Sequence, residues 1–169
     1  TVRTLVSDPL GRTISASYGV IEHERTAIIE MAAASGLTLL DPKERNPLKT
    51  HTYGTGQLII DAMEKGCRNF LVGIGGSATN DGGTGMLRAL GFRFLDACGN
   101  ELCGGGEILE QIDRIDASCM IPTLNECRFI LACDVSNPFY GPNGAAHVFA
   151  PQKGADPEMV ERLDNGLRY

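Results

Sequence analysis

The sequence predicts a mixed α/β fold, and three observations carry that prediction. A helical pattern at Thr55–Lys65, a continuous apolar run at Phe70–Ile74 and a glycine-rich loop follow one another in the order of an α/β binding unit. Upstream, Thr1–Ser7 and Thr13–Ile21 alternate apolar and polar residues on either side of Asp8-Pro9-Leu10-Gly11, the pattern of an antiparallel hairpin. The composition, 43% apolar and 6% aromatic over 169 residues, is that of a globular chain. A chain of this length can bury roughly 70% of its unfolded surface in a single domain.

Each element has a local cause. The polar link His23-Glu24-Arg25 suits a reversal into a third strand at Thr26–Glu30, paired with Ser15–Val20 to complete a β-meander. Met31–Ser35 is alanine-rich and stops at Gly36, so a short helix is expected, followed by a loop over Leu37–Asn46 with Pro42 and then Pro47. In Thr55–Lys65 the apolar set Leu58, Ile59, Ala62 and Met63 recurs at helical spacing, and Gly66 supplies the terminating residue. Phe70–Ile74 reads as a buried strand. Met86–Leu90 is a short helix closed by Gly91, Phe92–Leu95 a strand, and Asp96–Asn100 a turn. Gly104-Gly105-Gly106 precedes the helical pattern Glu107–Ile112 and reads as a hinge or loop, while Arg128–Cys133 reads as another buried strand delivering Asp134 into the loop Val135–Gly144.

Composition also excludes classes of function. The formal charge is −6, and Lys and Arg are scattered without a basic stripe, which argues against a nucleic-acid partner. No apolar run approaches the roughly 18 residues of a membrane span, and the N-terminus carries neither a basic leader nor a signal core, so a cytoplasmic location is expected. Six cysteines lie mostly in apolar contexts without a Cys-x-x-Cys pair, which predicts reduced core thiols. Thr1 is not a Met, and the chain ends within the helical pattern Asp156–Leu163, so it reads as part of a longer polypeptide.

The chemistry concentrates in Gly73-Ile74-Gly75-Gly76-Ser77-Ala78-Thr79-Asn80-Asp81-Gly82-Gly83-Thr84-Gly85. Missing Cβ atoms let successive backbone N–H groups approach an anion, so the segment reads as a phosphate or carboxylate cradle with Gly75, Gly76, Ser77, Thr79 and Asn80 as ligands. Asp81 beside a phosphate calls for either a divalent cation or a proton-accepting role; alternatively, it forms an Asx-turn that ends the loop. Asp134 is a second candidate site residue, since acids at strand ends mark ligand sites in α/β sheets; alternatively, it initiates a turn. Lys153 either neutralises a phosphate or is simply solvated.

Other site classes fit less well. Gly73-x-Gly75-x-x-Ala78 matches a dinucleotide fingerprint with Asp96 as the ribose acid, but Thr79–Gly83 interrupts the helix that motif requires. There is no Walker lysine, Ser77 lacks the nucleophile-elbow form, His23 and His51 have no second ligand at metal spacing, and His147 sits in the apolar run Ala145–Ala150. A dinucleotide oxidoreductase and a non-catalytic ligand-binding module are the competing readings.

Several longer stretches carry a family resemblance: Val6–Gly11, Ile29–Leu37, Thr52-Tyr53-Gly54-Thr55-Gly56, Gly73–Gly83, Ala132–Val135 with Asn137-Pro138, and Phe149–Ala155. In this order they resemble the bacterial class I glycerate kinases, ATP-dependent enzymes that phosphorylate D-glycerate. The resemblance implies a two-domain α/β enzyme, with residues 1–169 as the inserted second domain beside a Rossmann-like domain of the same polypeptide, and a fragment inactive alone. It also implies that Gly75, Gly76, Ser77, Asn80 and Asp81 line a cleft with Asp134 and Asn137 nearby, and that Asp81 or Asp134 takes the glycerate hydroxyl proton or binds Mg²⁺. ATP and Mg²⁺ would be required, and 2-phosphoglycerate is the product it favours.

Overall fold

The computed structural model describes residues 1–168. Strands β1 (Val2–Ser7), β2 (Thr13–Ile21), β3 (Thr26–Glu30), β4 (Asn69–Gly73) and β7 (Arg128–Ala132) form one sheet in the order β1-β2-β3-β4-β7. The first three are antiparallel, as the alternation requires, although β2 meets β3 only through Gly19–Ile21 against Thr26–Ile28. The last three are parallel. Between them lie α1 (Ala32–Ser35), α2 (Tyr53–Glu64), α3 (Thr84–Ala89) and a two-stranded ribbon of β5 (Arg93–Leu95) with β6 (Arg114–Asp116). The chain then adds α4 (Ala145–Phe149) and α5 (Pro157–Gly166), the latter capped by Asp156, whose side chain accepts from Met159 N at 2.8 Å.

The core follows from the periodicities. α2 lays Leu58, Ile59, Ala62 and Met63 onto the sheet face formed by Val6, Ala16, Tyr18, Ala27, Ile29, Phe70 and Val72. Each large aliphatic or aromatic side chain buried there contributes about 1.5–3 kcal/mol. Tyr18 and Asp61 remain polar at its margin, with the phenol donating to Asp61 Oδ2 at 2.5 Å. A second cluster, Leu48, Leu109, Ala146, Ala150, Val160, Leu163 and Leu167, joins α4 and α5 to the middle of the chain.

Two expectations are corrected. The strand at Arg128–Ala132 forms, but all five residues are exposed. It lies at the outer edge of the sheet, beyond the footprint of α2 over β1, β2 and β3, and only Phe129 finds an aromatic partner, stacked on Phe70 at 4.8 Å. The loop at Gly104-Gly105 leads, as expected, into a helical segment, a 3-10 helix at Gly106–Gln111, where a Cβ on Gly106 would lie 2.7 Å from Pro47 O and 2.8 Å from Asn80 O. Only Cys67 among the cysteines is buried; Cys127 is half-buried and Cys98, Cys103, Cys119 and Cys133 are exposed, all six as free thiols. Short apolar runs around a cysteine do not distinguish a covered strand from an edge strand.

Candidate active site

The parallel strands bring the loops together. Glu30, Gly73 and Ala132 occupy one register row at the C-terminal ends of β3, β4 and β7, so the segments that follow all leave from the same sheet edge. In open α/β sheets, ligands bind outside the carboxyl ends of the strands.

The glycine loop divides into an exposed bend and a buried return. Its first part is held against the segment after β3: Met31 N donates to Gly73 O at 2.9 Å, Leu37 N to Gly76 O at 3.0 Å and Ala78 N to Ser35 O at 2.8 Å. These clamps take up Gly73 O, Gly76 O and the Ala78 amide, and leave the amides of Gly75, Gly76 and Ser77 without acceptors among the described residues. Gly75 and Gly76 are exposed, and Gly76 sits at φ +69°, a left-handed conformation that suits glycine and is of the kind in which successive N–H groups can converge on an anion.

Lys153 stands behind this bend. It is only 7% exposed, and its Nζ donates to Ser77 Oγ at 2.8 Å and Thr79 O at 2.6 Å. The side chain is therefore not solvated. Burial pushes its pKa down to about 8, with the Asp81 charge acting in the opposite direction. At neutral pH the ammonium adds positive charge behind the three open amides.

Asp81 lies under the bend, 1% exposed. Its Oδ2 accepts from Thr52 N at 2.8 Å, Thr52 Oγ1 at 2.8 Å and Gly85 N at 3.1 Å, and Oδ1 accepts from Gly83 N at 3.1 Å. These four donors tie the loop to the start of α2 and α3. The bond to Gly83, two residues ahead, is the Asx-turn. Gly85 has to be glycine, because a Cβ there would lie 2.7 Å from Thr52 N. Thr79 and Asn80 are also buried, and Asn80 Nδ2 has no partner among the described residues.

Asp134 and Asn137 lie on the loop after β7, both exposed, with Asn137 Nδ2 donating to Asn143 O at 3.0 Å. This loop meets the glycine loop through Phe139, whose Cζ would lie 3.6 Å from a Cβ on Gly82. Among the described residues, no group of three or more His, Cys, Asp or Glu side chains is placed to hold a metal ion, and no helix is long and apolar enough to cross a membrane.

Residues not singled out from the sequence also shape the site. The Glu30 carboxylate covers Gly73, with Oε2 only 2.5 Å from where a Cβ would be, so it stands at the same strand edge as the bend. Its signal was its place as the last residue of β3. Thr52 Oγ1 donates to Asp81 and accepts from Met86 N at 2.8 Å, a link invisible before the fold brings residues 34 apart together. His51, close to Asp81 and Arg88, is held below the ordinary histidine range chiefly by burial.

Comparison with known proteins agrees with this architecture. A family model described as the glycerate kinase family matches residues 1–169. The chain is 51% identical over 164 residues to the glycerate 2-kinase of Escherichia coli K12, covering 97% of this chain and 43% of that protein. It is 48% identical over 168 residues to the glycerate kinase of Bacillus subtilis 168, covering 99% and 44%. A crystal structure from Salmonella typhimurium LT2 superposes with a TM-score of 0.95 at 51% identity over 99% of this chain and 45% of the other. The chain thus spans less than half the length of these relatives. With its family model matched end to end and its fold shared, the chain belongs to the glycerate kinase family.

Proposed function

We propose that this chain supplies the phosphoryl-binding half of an ATP-dependent kinase for D-glycerate. The observation that carries the reading is the exposed bend Gly75-Gly76-Ser77, whose three open amides are backed by the Lys153 ammonium. Oriented donors aimed at the oxygens of a transferring phosphoryl group supply much of the stabilisation that phosphoryl transfer needs. The relatives named glycerate kinase support the acceptor, and the Escherichia coli protein named glycerate 2-kinase supports 2-phosphoglycerate as product. Residues 1–169 are then the inserted domain of a two-domain cytoplasmic enzyme, inactive without its Rossmann-like partner domain.

The two carboxylates take different roles in this reading. Asp81, saturated by four donors, holds the loop in shape. Asp134, exposed and free of hydrogen bonds among the described residues, is the carboxylate available to accept the glycerate hydroxyl proton or to hold Mg²⁺. Bound Mg²⁺ would neutralise phosphate charge. Ser77 and the amides of Gly75 and Gly76 orient the anion, Thr79 and Asn80 support the bend from beneath, and Asn137 steadies the loop bearing Asp134.

The test uses the complete enzyme with Mg-ATP and D-glycerate. ADP release with 2-phosphoglycerate identified by phosphorus NMR supports the reading, whereas heat of binding without turnover would make the protein a ligand-binding module. Asp134→Asn should lower kcat by about 10²–10⁴-fold with folding intact, the loss expected for a positioned base. Asp81→Asn should lower kcat and the unfolding midpoint together; a kcat loss of that size at unchanged stability would exchange the two roles.

A further inference from the structure

Asp164 is buried in the inner face of α5, 1% exposed, where the helix otherwise presents Val160, Leu163 and Leu167. A carboxylate in such a place is costly unless its oxygens are engaged. They are: Oδ1 accepts from Gly141 N at 2.6 Å, and Oδ2 accepts from Arg168 Nη2 at 2.8 Å and Nε at 3.3 Å. Burial alone would raise its pKa, but Arg168 and the Gly141 amide hold it below the ordinary carboxylate value. His147 Nε2 stands 4.0 Å from the same oxygen and 3.9 Å from Glu161.

The bond to Gly141 joins α5 to the loop that carries Asp134 and Asn137. From Cys133 to Tyr140 every residue of that loop is exposed, so no buried side chain of its own fixes its path. Its contacts gather at the far end: Gly141 on Asp164, the Tyr140 ring under the Arg168 guanidinium at 5.7 Å, and Phe139 against Gly82. Asp164 organises the first two, since it holds the loop backbone directly and holds Arg168 for Tyr140, and Phe139 is the residue just before them. From this geometry we infer that Asp164 is a positioning residue, which sets where the Asp134 loop lands on the glycine loop without touching substrate. This rests on the proposed kinase reaction and adds to it a residue remote from both loops in sequence.

The experiment is a double-mutant cycle in the complete enzyme, with hydrogen exchange read alongside kinetics. Asp164→Asn should speed amide exchange across 134–144 by about tenfold or more while β3 and β4 keep their protection. It should lower kcat for D-glycerate by about tenfold, and adding it to Asp134→Asn should cost little further, because both changes disable one device. If Asp164→Asn does not fold, Arg168→Gln, which removes the ion pair and the cover over Tyr140, should show the same coupling. Additive losses in kcat, unchanged exchange in 134–144, or an Asp134→Asn enzyme of normal kcat would each overturn the inference. Failure of the kinase reading looks different: the unaltered enzyme then transfers no phosphate to glycerate, while the exchange measurement still shows whether Asp164 anchors the loop.

Discussion

Lys153 is the residue at which sequence and structure differ most in meaning. A single lysine between Gln152 and Gly154 has the context of a solvated loop, yet it is buried with its Nζ bonded to Ser77 and Thr79. The cost of burying the ammonium appears as a pKa lowered to about 8 from 10.5. In the pH interval between these values the unfolded chain binds the proton and the folded chain does not, so stability rises with pH there. The gain is of the order of 1–3 kcal/mol and should vanish in Lys153→Met; comparing urea midpoints of the two proteins at pH 7.5 and 9.5 reads it directly. Turnover should move the opposite way, falling above about pH 8 as the charge behind the bend is lost. A Lys153→Met protein with the same pH dependence of stability as the unaltered one would rule out a buried ammonium at this position.

The helix-strand-loop succession was legible because each of its parts is set by local chemistry. α2 shows its apolar stripe, Gly66 follows it at φ +89°, and β1 and β2 alternate around their turn. What could not be read was everything fixed by contact across the chain. The triple glycine at 104–106 has the composition of a flexible linker, yet Gly106 is pressed between Pro47 O, Asn80 O and Leu163. Gly106→Ala should therefore lower stability by about 1–3 kcal/mol or more through overpacking. Gly66, whose Cβ would meet open space, makes the control: Gly66→Ala costs only its left-handed backbone, about 1–2 kcal/mol, and should leave ligand binding untouched. Since Gly106 abuts the Asn80 carbonyl, its substitution should also weaken substrate binding, which isothermal titration of the complete enzyme would detect. The candidate site was legible to the same extent: the amide-rich bend announces itself in glycines, but Thr52, Glu30 and Asp164 join it only through the tertiary fold.

At the scale of the whole molecule, the sheet is finished on one face and open at one edge. Beyond α2's cover, Phe129, Ile130 and Leu131 of β7 are 41%, 52% and 62% exposed, and Ile130 continues the register row of Ile28 and Leu71 on the sheet face opposite α2. Three consecutive exposed apolar residues on a strand edge invite pairing with another chain unless something covers them. The chain spans less than half the length of its relatives; in the proposed two-domain enzyme the partner domain is the expected cover, and β7 feeds the very loop that bears Asp134. Leu131→Lys distinguishes covered from bare. In the complete protein it should lower stability by about 1.5–3 kcal/mol, the worth of burying a leucine side chain, and should reduce kcat by disturbing the start of the Asp134 loop. In residues 1–169 alone the same change should leave the unfolding free energy within about 0.5 kcal/mol, as at any exposed site, while reducing self-association in sedimentation velocity. Equal effects in the two proteins would mean that β7 stays bare in the complete enzyme, and that the sheet edge contributes to the active site from this chain alone.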